Sequence, residues 1–434
     1  MPHDNRSEKE SERRAHVRTR MIHGAARSRR WDYSHHVVPP ISSSATFRLD
    51  SAERGAKGFI DFAHDTADSH DPIYIYDRLE EPTRGMLEDN LATAEGGDAA
   101  LCFASGMAAI SAAVGSILRS GDEMVAHHVL YGCTYSLFTN WLPRFGITVR
   151  FVDVNNASAL RDAMRPRTRA VYFETPVNPD MTLIDIGAVR QAVDEINGIR
   201  PDSEKSWIIV DNTFATPVCQ RPISLGADIV CHSLTKGIGG FGADVGGAVI
   251  APKSLRNQLL MYRKDFGGIL SPKAAWATLV YGLPTLATRM ANYQKTAHHV
   301  ARHLCGHPKV ELVRYPGLDS FPQYELAKRQ MCDPKGRFAP GSMLYFVLKD
   351  GGTGTSVGER FVDHIAQHSY AISLAVSLGQ IKTLIECPFS MTHAAVPHEE
   401  MIRRGVVPGG IRLSCGLEDW EDLVSDLEEA LDAV

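Results

Sequence analysis

Trp207-Ile208-Ile209-Val210-Asp211 is an apolar run closed by a carboxylate. Ala227-Asp228-Ile229-Val230-Cys231-His232-Ser233-Leu234-Thr235-Lys236 is a second run, and it ends in an amine 25 residues after that acid. Short, continuous apolar runs of this kind read as strands buried on both faces. Working outward, the same pattern predicts strands at 99–104, 123–127, 148–152, 170–174, 229–233 and 246–250. Helical periods lie between them, over 83–95 (closed by Gly96-Gly97), 106–118, 135–144, 157–164 and 186–197. Strands alternating with helices imply an α/β domain with a mostly parallel sheet covered on both faces. Beyond it, the pattern predicts a long helix from Ser271 to Leu304 that Pro284 is placed to break, strands at 342–348 and 410–414, and a closing amphipathic helix at 420–434. The expected division is an N-terminal arm over 1–80, an α/β domain over 81–286 and a smaller C-terminal α/β domain over 287–434. The arm reads as irregular, with a Pro-stiffened segment at Val37–Ile41 and a solvated Asp/His-rich loop over 60–72.

Composition narrows the classes. At roughly 150 residues per domain, 434 residues suggest two to three domains. With 44% apolar and 22% charged residues the chain is an ordinary globular one, neither disordered nor fibrous. Lys plus Arg is 46 against 51 for Asp plus Glu, a net charge of −5, which lacks the positive excess of a nucleic-acid binder. None of the eight cysteines forms a Cys-x-x-Cys pair, so zinc ribbons and thioredoxin motifs are excluded, and scattered thiols fit a reducing cytoplasm. Leu101–Leu118 is uncharged for 18 residues, but its Ala, Gly and Ser content fits a buried strand and packed helix better than a membrane span. The first 30 residues lack the apolar core of a signal peptide.

In an open parallel sheet, ligands bind beyond the carboxyl ends of the strands, so Asp211 and Lys236 should face one crevice. A carboxylate and an amine presented together suit pyridoxal phosphate, with the lysine as covalent anchor and the acid on the pyridinium nitrogen. A plain strand-end ion pair is the alternative that residue types alone leave open. Several flanking residues bear on the choice. Ser105-Gly106-Met107 opens a helix whose backbone amides would attract a phosphate. Ser233 and Thr235 add hydroxyls, Tyr131 offers an aromatic face, and Arg412 offers a fork for a carboxylate.

Taken together, these stretches resemble the Cys/Met-metabolism family of fold-type I pyridoxal-phosphate enzymes. The matching motifs, in the family's order, are Tyr76-Asp77-Arg78 with Pro82-Thr83, Ala104-Ser105-Gly106-Met107, Tyr131-Gly132-Cys133-Thr134, Glu174-Thr175-Pro176-Val177-Asn178-Pro179, Val210-Asp211-Asn212-Thr213, Ser233-Leu234-Thr235-Lys236 and Arg412-Leu413-Ser414-Cys415-Gly416-Leu417-Glu418. The resemblance spans about residues 20–434. It implies pyridoxal 5'-phosphate as cofactor, a small amino-acid substrate and a homotetramer of catalytic dimers. It assigns Gly106, Met107, Ser233 and Thr235 to the phosphate, and Tyr76 and Arg78 to the phosphate of the neighbouring subunit's cofactor. It puts Asp211 on the ring nitrogen, Asn178 near the ring hydroxyl, Tyr131 on the ring face and Arg412 on the substrate carboxylate. Lys236 is then anchor and base, and Tyr131 a proton donor whose phenol nearby cations such as Arg78 should lower from its usual value of about 10.

Within the family, Cys133, the pair Lys264-Asp265, and Ala375-Val376-Ser377-Leu378-Gly379 look like the pocket of methionine γ-lyases, with apolar Val376 suited to a thioether. That implies α,γ-elimination to 2-oxobutanoate, ammonia and a thiol. The rival readings are a γ-replacement transferase (cystathionine γ-synthase or O-acetylhomoserine sulfhydrylase) and a cystathionine γ-lyase. Two departures bear on this. Gly237-Ile238-Gly239-Gly240-Phe241-Gly242 looks closer to the sulfhydrylases, and Glu81 stands where Asn is usual. The glycine spacing of 237–242 also satisfies the dinucleotide pattern, but a strand and no acid follow it, so nicotinamide binding is set aside. The His pairs at 35–36, 127–128 and 298–299 are adjacent rather than spaced as helix ligands, and no metal is expected.

Overall fold

The computed structural model describes residues 14–24, 36–64, 72–349, 356–391 and 406–434. Within them, seven strands form the main sheet: β1 (Ala99–Phe103), β2 (Glu123–His127), β3 (Thr148–Val152), β4 (Thr168–Glu174), β5 (Trp207–Asp211), β6 (Ile229–Ser233) and β7 (Gly247–Ala251), in the order β1-β7-β6-β5-β4-β2-β3. β3, β2, β4, β5 and β6 run parallel, and β7 is antiparallel to both its neighbours. Side chains alternate across this sheet as strand geometry requires. Val171, Phe173, Ile208 and Val210 enter one core, while Ala170, Tyr172 and Ile209 enter another on the opposite face. Both faces are therefore covered, which is why these strands read as unbroken apolar runs rather than alternating ones.

The second sheet holds β8 (Val310–Arg314), β9 (Met343–Leu348), β10 (Ile372–Leu374), β11 (Thr383–Glu386) and β12 (Gly410–Ser414), in the order β10-β11-β12-β9-β8 and mostly antiparallel. β9 serves two cores. Met343, Tyr345 and Val347 face the first, and Leu344, Phe346 and Leu348 face the second. The helix Leu283–Cys305 passes from one core to the other, with Leu286, Met290 and Tyr293 in the first and Ala297, Val300 and Leu304 in the second.

Several local expectations change. The stretch from Ser271 to Leu304 does contain helix throughout, but the irregularity is a π turn at Thr278–Gly282. Pro284 sits at the start of the next helix, where its missing N–H costs little. The expected helix over 135–144 is an α turn, a π turn (Leu137–Trp141) and a 3-10 turn (Leu142–Phe145). The arm is not irregular throughout, since it forms the helices Val17–His23 and Ala52–His64. The latter takes the first part of the expected Asp/His loop, and 65–71 lie outside the described residues. Glu81 acquires a clear role as N-cap of the helix Pro82–Glu95, where its carboxylate accepts the N–H groups of Thr83 (2.8 Å) and Arg84. No helix among the described residues is long and apolar enough to cross a membrane, and all eight cysteines carry free thiols.

Candidate active site

The parallel strands β4, β5 and β6 end side by side in Glu174, Asp211 and Ser233, with Glu174 in register with Asp211. Just past β6 the chain turns, and Thr235 is pinned to Gly246, its hydroxyl accepting that residue's N–H at 3.1 Å. The turn aims Lys236 back over the strand ends. Its Nζ donates to Ser377 Oγ at 2.8 Å. Burial, with the positive charge of Arg412 beside it, pulls the lysine down to about 8, and the charge of Glu386 partly opposes the fall. Ser377 holds a left-handed φ of 92°, a costly conformation for a residue with a side chain. That backbone lets one residue serve two cations, because its carbonyl accepts Arg412 Nη2 at 2.8 Å while its hydroxyl accepts Lys236.

Across the cavity, β1 leads into the helix Gly106–Ile117, capped by Ser105, whose Oγ accepts the N–H of Ala108 at 3.1 Å. The helix start is wedged against two strand ends. A Cβ on Gly106 would lie 2.9 Å from that of Ser233, and one on Gly247 would lie 2.1 Å from the Ser105 carbonyl oxygen. The helix start at Ser105–Met107 lines the same cavity as Ser233 and Thr235, and a helix N-terminus of this kind attracts anions.

Two acids form the cavity floor. Asp211 Oδ1 accepts the Thr213 N–H at 2.9 Å, and burial raises its carboxyl. Glu174 is pushed well above the carboxylate range by burial and by the charge of Asp211, and its Oε1 accepts the Tyr131 N–H at 2.9 Å. Arg412 is buried, with Nη1 on Glu386 (2.9 Å) and Asn178 Oδ1 (3.1 Å). Tyr131 stands at the rim, 41% exposed. Its phenol is pushed up to about 12 by burial and by the Cys133 thiol. This corrects the expectation of a lowered phenol: the cation beside Tyr131 is Arg412, and its effect is the weaker one.

The cavity, of about 280 Å³, lies near the lower end of the range of about 300–1,000 Å³ for small-molecule sites. It brings together Gly106, Met107, Tyr131, Asn178, Asp211, Ser233, Thr235, Lys236, Val376, Ser377 and Arg412. Tyr76, Arg78, Lys264 and Asp265 do not line it and gather elsewhere. Arg78 stacks over Tyr76 at 5.4 Å and donates to the Lys264 carbonyl at 2.7 Å, and Lys264 pairs with Asp265 at 3.2 Å. Buried Arg84 ties the same loop down, with Nη1 2.9 Å from Asp77. Cys133 is exposed beside Tyr131. Sequence reading gave no role to Glu174, although it closes an apolar strand just as Asp211 does. It missed Glu386, which ends the short run Thr383–Glu386 in the same manner.

The donor set fits pyridoxal phosphate: an amine, a facing acid, an aromatic rim and an anion cradle. A second cluster is less well formed. His127, His128 and Asp153 bring one potential ligand atom each within 4.8 Å of one another. Tetrahedral zinc, with bonds of about 2.0–2.1 Å, needs ligand atoms about 3.4 Å apart. Nδ1 of His127 also accepts the Val154 N–H at 3.4 Å.

The chain is similar to known proteins along nearly its whole length. The family model described as Cys/Met metabolism PLP-dependent enzyme matches residues 18–432. The chain is 41% identical over 400 residues to the L-methionine gamma-lyase of Fusobacterium nucleatum subsp. polymorphum, covering 92% of this chain and 94% of that one. It is 38% identical over 362 residues to the cystathionine gamma-lyase of Bacillus subtilis, covering 83% and 89%. The crystal structure of cystathionine gamma-lyase from Lactobacillus plantarum complexed with L-serine superposes with a TM-score of 0.83 at 32% identity, covering 97% of this chain and 99% of that one.

Proposed function

The chain belongs to the Cys/Met metabolism PLP-dependent enzyme family, and from that premise we propose that it is a carbon–sulfur γ-lyase converting L-methionine or a related γ-substituted amino acid, with water, to 2-oxobutanoate, ammonia and a thiol. Pyridoxal 5'-phosphate, bound in the cavity, supplies an electron sink that acidifies the substrate's α and β C–H bonds. Lys236 would hold it covalently. Gly106, Met107, Ser233 and Thr235 would take its phosphate, Asp211 its ring nitrogen, Asn178 its ring hydroxyl and Tyr131 its face.

The protein's own groups divide the remaining work. Arg412 binds the α-carboxylate with the N–H groups that Glu386, Asn178 and Ser377 leave turned to the cavity. Lys236 would also act as the general base. A value near 8 keeps an appreciable neutral fraction close to physiological pH, where a base is most effective. Ser377 Oγ steers its Nζ. A phenol at about 12 stays protonated, so Tyr131 enters as an acid, giving its proton to the departing sulfur. Val376, apolar and on the cavity wall, suits a thioether chain.

The observation that carries this reading is the shared footing of Lys236 and Arg412 on Ser377, each at 2.8 Å, which sets base and carboxylate fork at one wall of one cavity. Incubation with methionine alone tests it: ammonia and 2-oxobutanoate are expected. Turnover only with an acylated homoserine plus a thiol would replace it with a transferase, and preference for cystathionine would move it to the other lyase.

The same proposal includes a homotetramer of catalytic dimers, in which Tyr76 and Arg78, turned away from their own cavity, complete a neighbour's phosphate site, with Lys264 and Asp265 at its substrate entrance and Cys133 at the rim. Exposed Phe241 and Tyr281, which line one apolar surface cavity, support such assembly. It also includes a cytoplasmic location and a domain boundary near 286–287, inside the helix that joins the two cores.

A further inference from the structure

Glu386 is an odd residue to find behind a carboxylate-binding arginine. It lies on β11 directly across the ladder from Arg412 on β12, and the two are 1% and 4% exposed. Oε1 sits 2.9 Å from Arg412 Nη1, on the flank away from Ser377. A fixed negative charge there repels any second carboxylate that approaches the same guanidinium. Burying such a pair gives little net stability over an apolar alternative, so stability alone is a weak reason for keeping it.

We propose that Glu386 is a positioning residue that tempers the site: it orients the Arg412 fork toward the cavity, weakens the hold on the substrate's α-carboxylate so that product can leave, and balances Arg412 against the amine of Lys236. The groups facing that amine are Arg412 and Glu386 from the second sheet, Ser377 from the loop before β11, and Asp211, Glu174 and Tyr131 from the first domain's strand ends and rim. Among them Glu386 is the acid that touches Arg412 itself. The direction of its effect on Lys236 agrees, since its charge raises the lysine that Arg412 lowers. This inference rests on the proposed use of Arg412 as the carboxylate site.

Glu386→Gln keeps the shape and the acceptor oxygen and removes only the charge. Like charges about 6–7 Å apart, one on each flank of a guanidinium, oppose each other strongly even at an effective dielectric near 20, so norleucine, which has no γ leaving group, should bind the cofactor-loaded variant more tightly by a factor on the order of 10 to 10². The pH midpoint of the visible absorption change should move down, and both KM and kcat for a cleaved substrate should fall as product lingers. Glu386→Asp keeps the charge but lengthens the contact, so smaller shifts in the same directions are expected, and it decides the matter if the glutamine variant does not fold. Unchanged or weaker norleucine binding with an unmoved midpoint, in whichever variant folds, overturns the proposal. Norleucine affinity reports on Arg412 whether or not methionine is cleaved. A wild-type protein that binds norleucine yet releases no 2-oxobutanoate would therefore sink the lyase reading and leave this one standing.

Discussion

Replacing Lys236 by Met removes the amine while keeping an unbranched side chain of similar length, and it should move activity and stability in opposite directions. In the folded chain the amine falls from 10.5 to about 8, mainly through burial. At about 1.4 kcal/mol per factor of ten in proton affinity, that displacement costs the cofactor-free fold about 3 kcal/mol. The folded value lies below the unfolded one, so the cost is fully present below pH 8 and fades as pH rises toward 10.5. The lost bond to Ser377 returns about 1.5 kcal/mol. Lys236→Met should thus stabilise the cofactor-free protein by about 2 kcal/mol near neutral pH, and that gain should disappear above about pH 10.5. Turnover should drop by at least the factor of about 10² to 10⁴ typical of a lost general base, and cofactor should wash out on dialysis. Urea unfolding of cofactor-free protein near neutral pH and above 10.5, with 2-oxobutanoate release from methionine, measures both. A variant that cleaves methionine within tenfold of wild type, or one destabilised equally at both pH values, would refute the reasoning.

Tyr131→Phe removes the proposed proton donor and should lower kcat by about 10²-fold, with the wild-type profile showing no phenol ionisation below about pH 11, as a pH series would establish. A methyl group at Gly247 would strike the Ser105 carbonyl at 2.1 Å. Gly247→Ala should therefore cost about 3 kcal/mol in thermal unfolding and weaken cofactor retention by displacing the helix start. His127 is lowered from 6.5 to about 3 by burial and by His128. Its folded value is the depressed one, so it costs nothing above about pH 6.5 and destabilises increasingly as pH falls toward 3. His127→Asn, with an oxygen to accept the Val154 N–H, should flatten that acid limb in urea midpoints compared at about pH 4.5 and 7.5.

The strands of the main sheet could be read from sequence because sandwiched parallel strands must be apolar on both faces, and β2, β3, β5 and β6 end where the apolar runs end. Asp211, Ser233 and Lys236 were visible for a related reason. A polar group that closes such a run has only the sheet's edge to occupy, and in a parallel sheet that edge is a ligand crevice. The pocket's substrate wall was harder. β10 and β11 have only 3 and 4 residues, too few to establish a period, and the helix Ala52–His64 is polar enough to pass for loop.

The chain's local chemistry determined that it builds a sheet covered on both faces, with an amine and an acid brought to one rim, since burial of each segment depends on its own side chains. Only the tertiary structure decided which of those groups meet. It joined Lys236 to Ser377 141 residues later, turned Arg412 between Asn178 and Glu386, and sent Arg78 to Lys264 instead of to its own cavity. The same folding sent the Tyr131 phenol up rather than down. Partners so distant are chosen by the packing of the two sheets and their cores, and a charge's surroundings, unlike its identity, are not written at its own position.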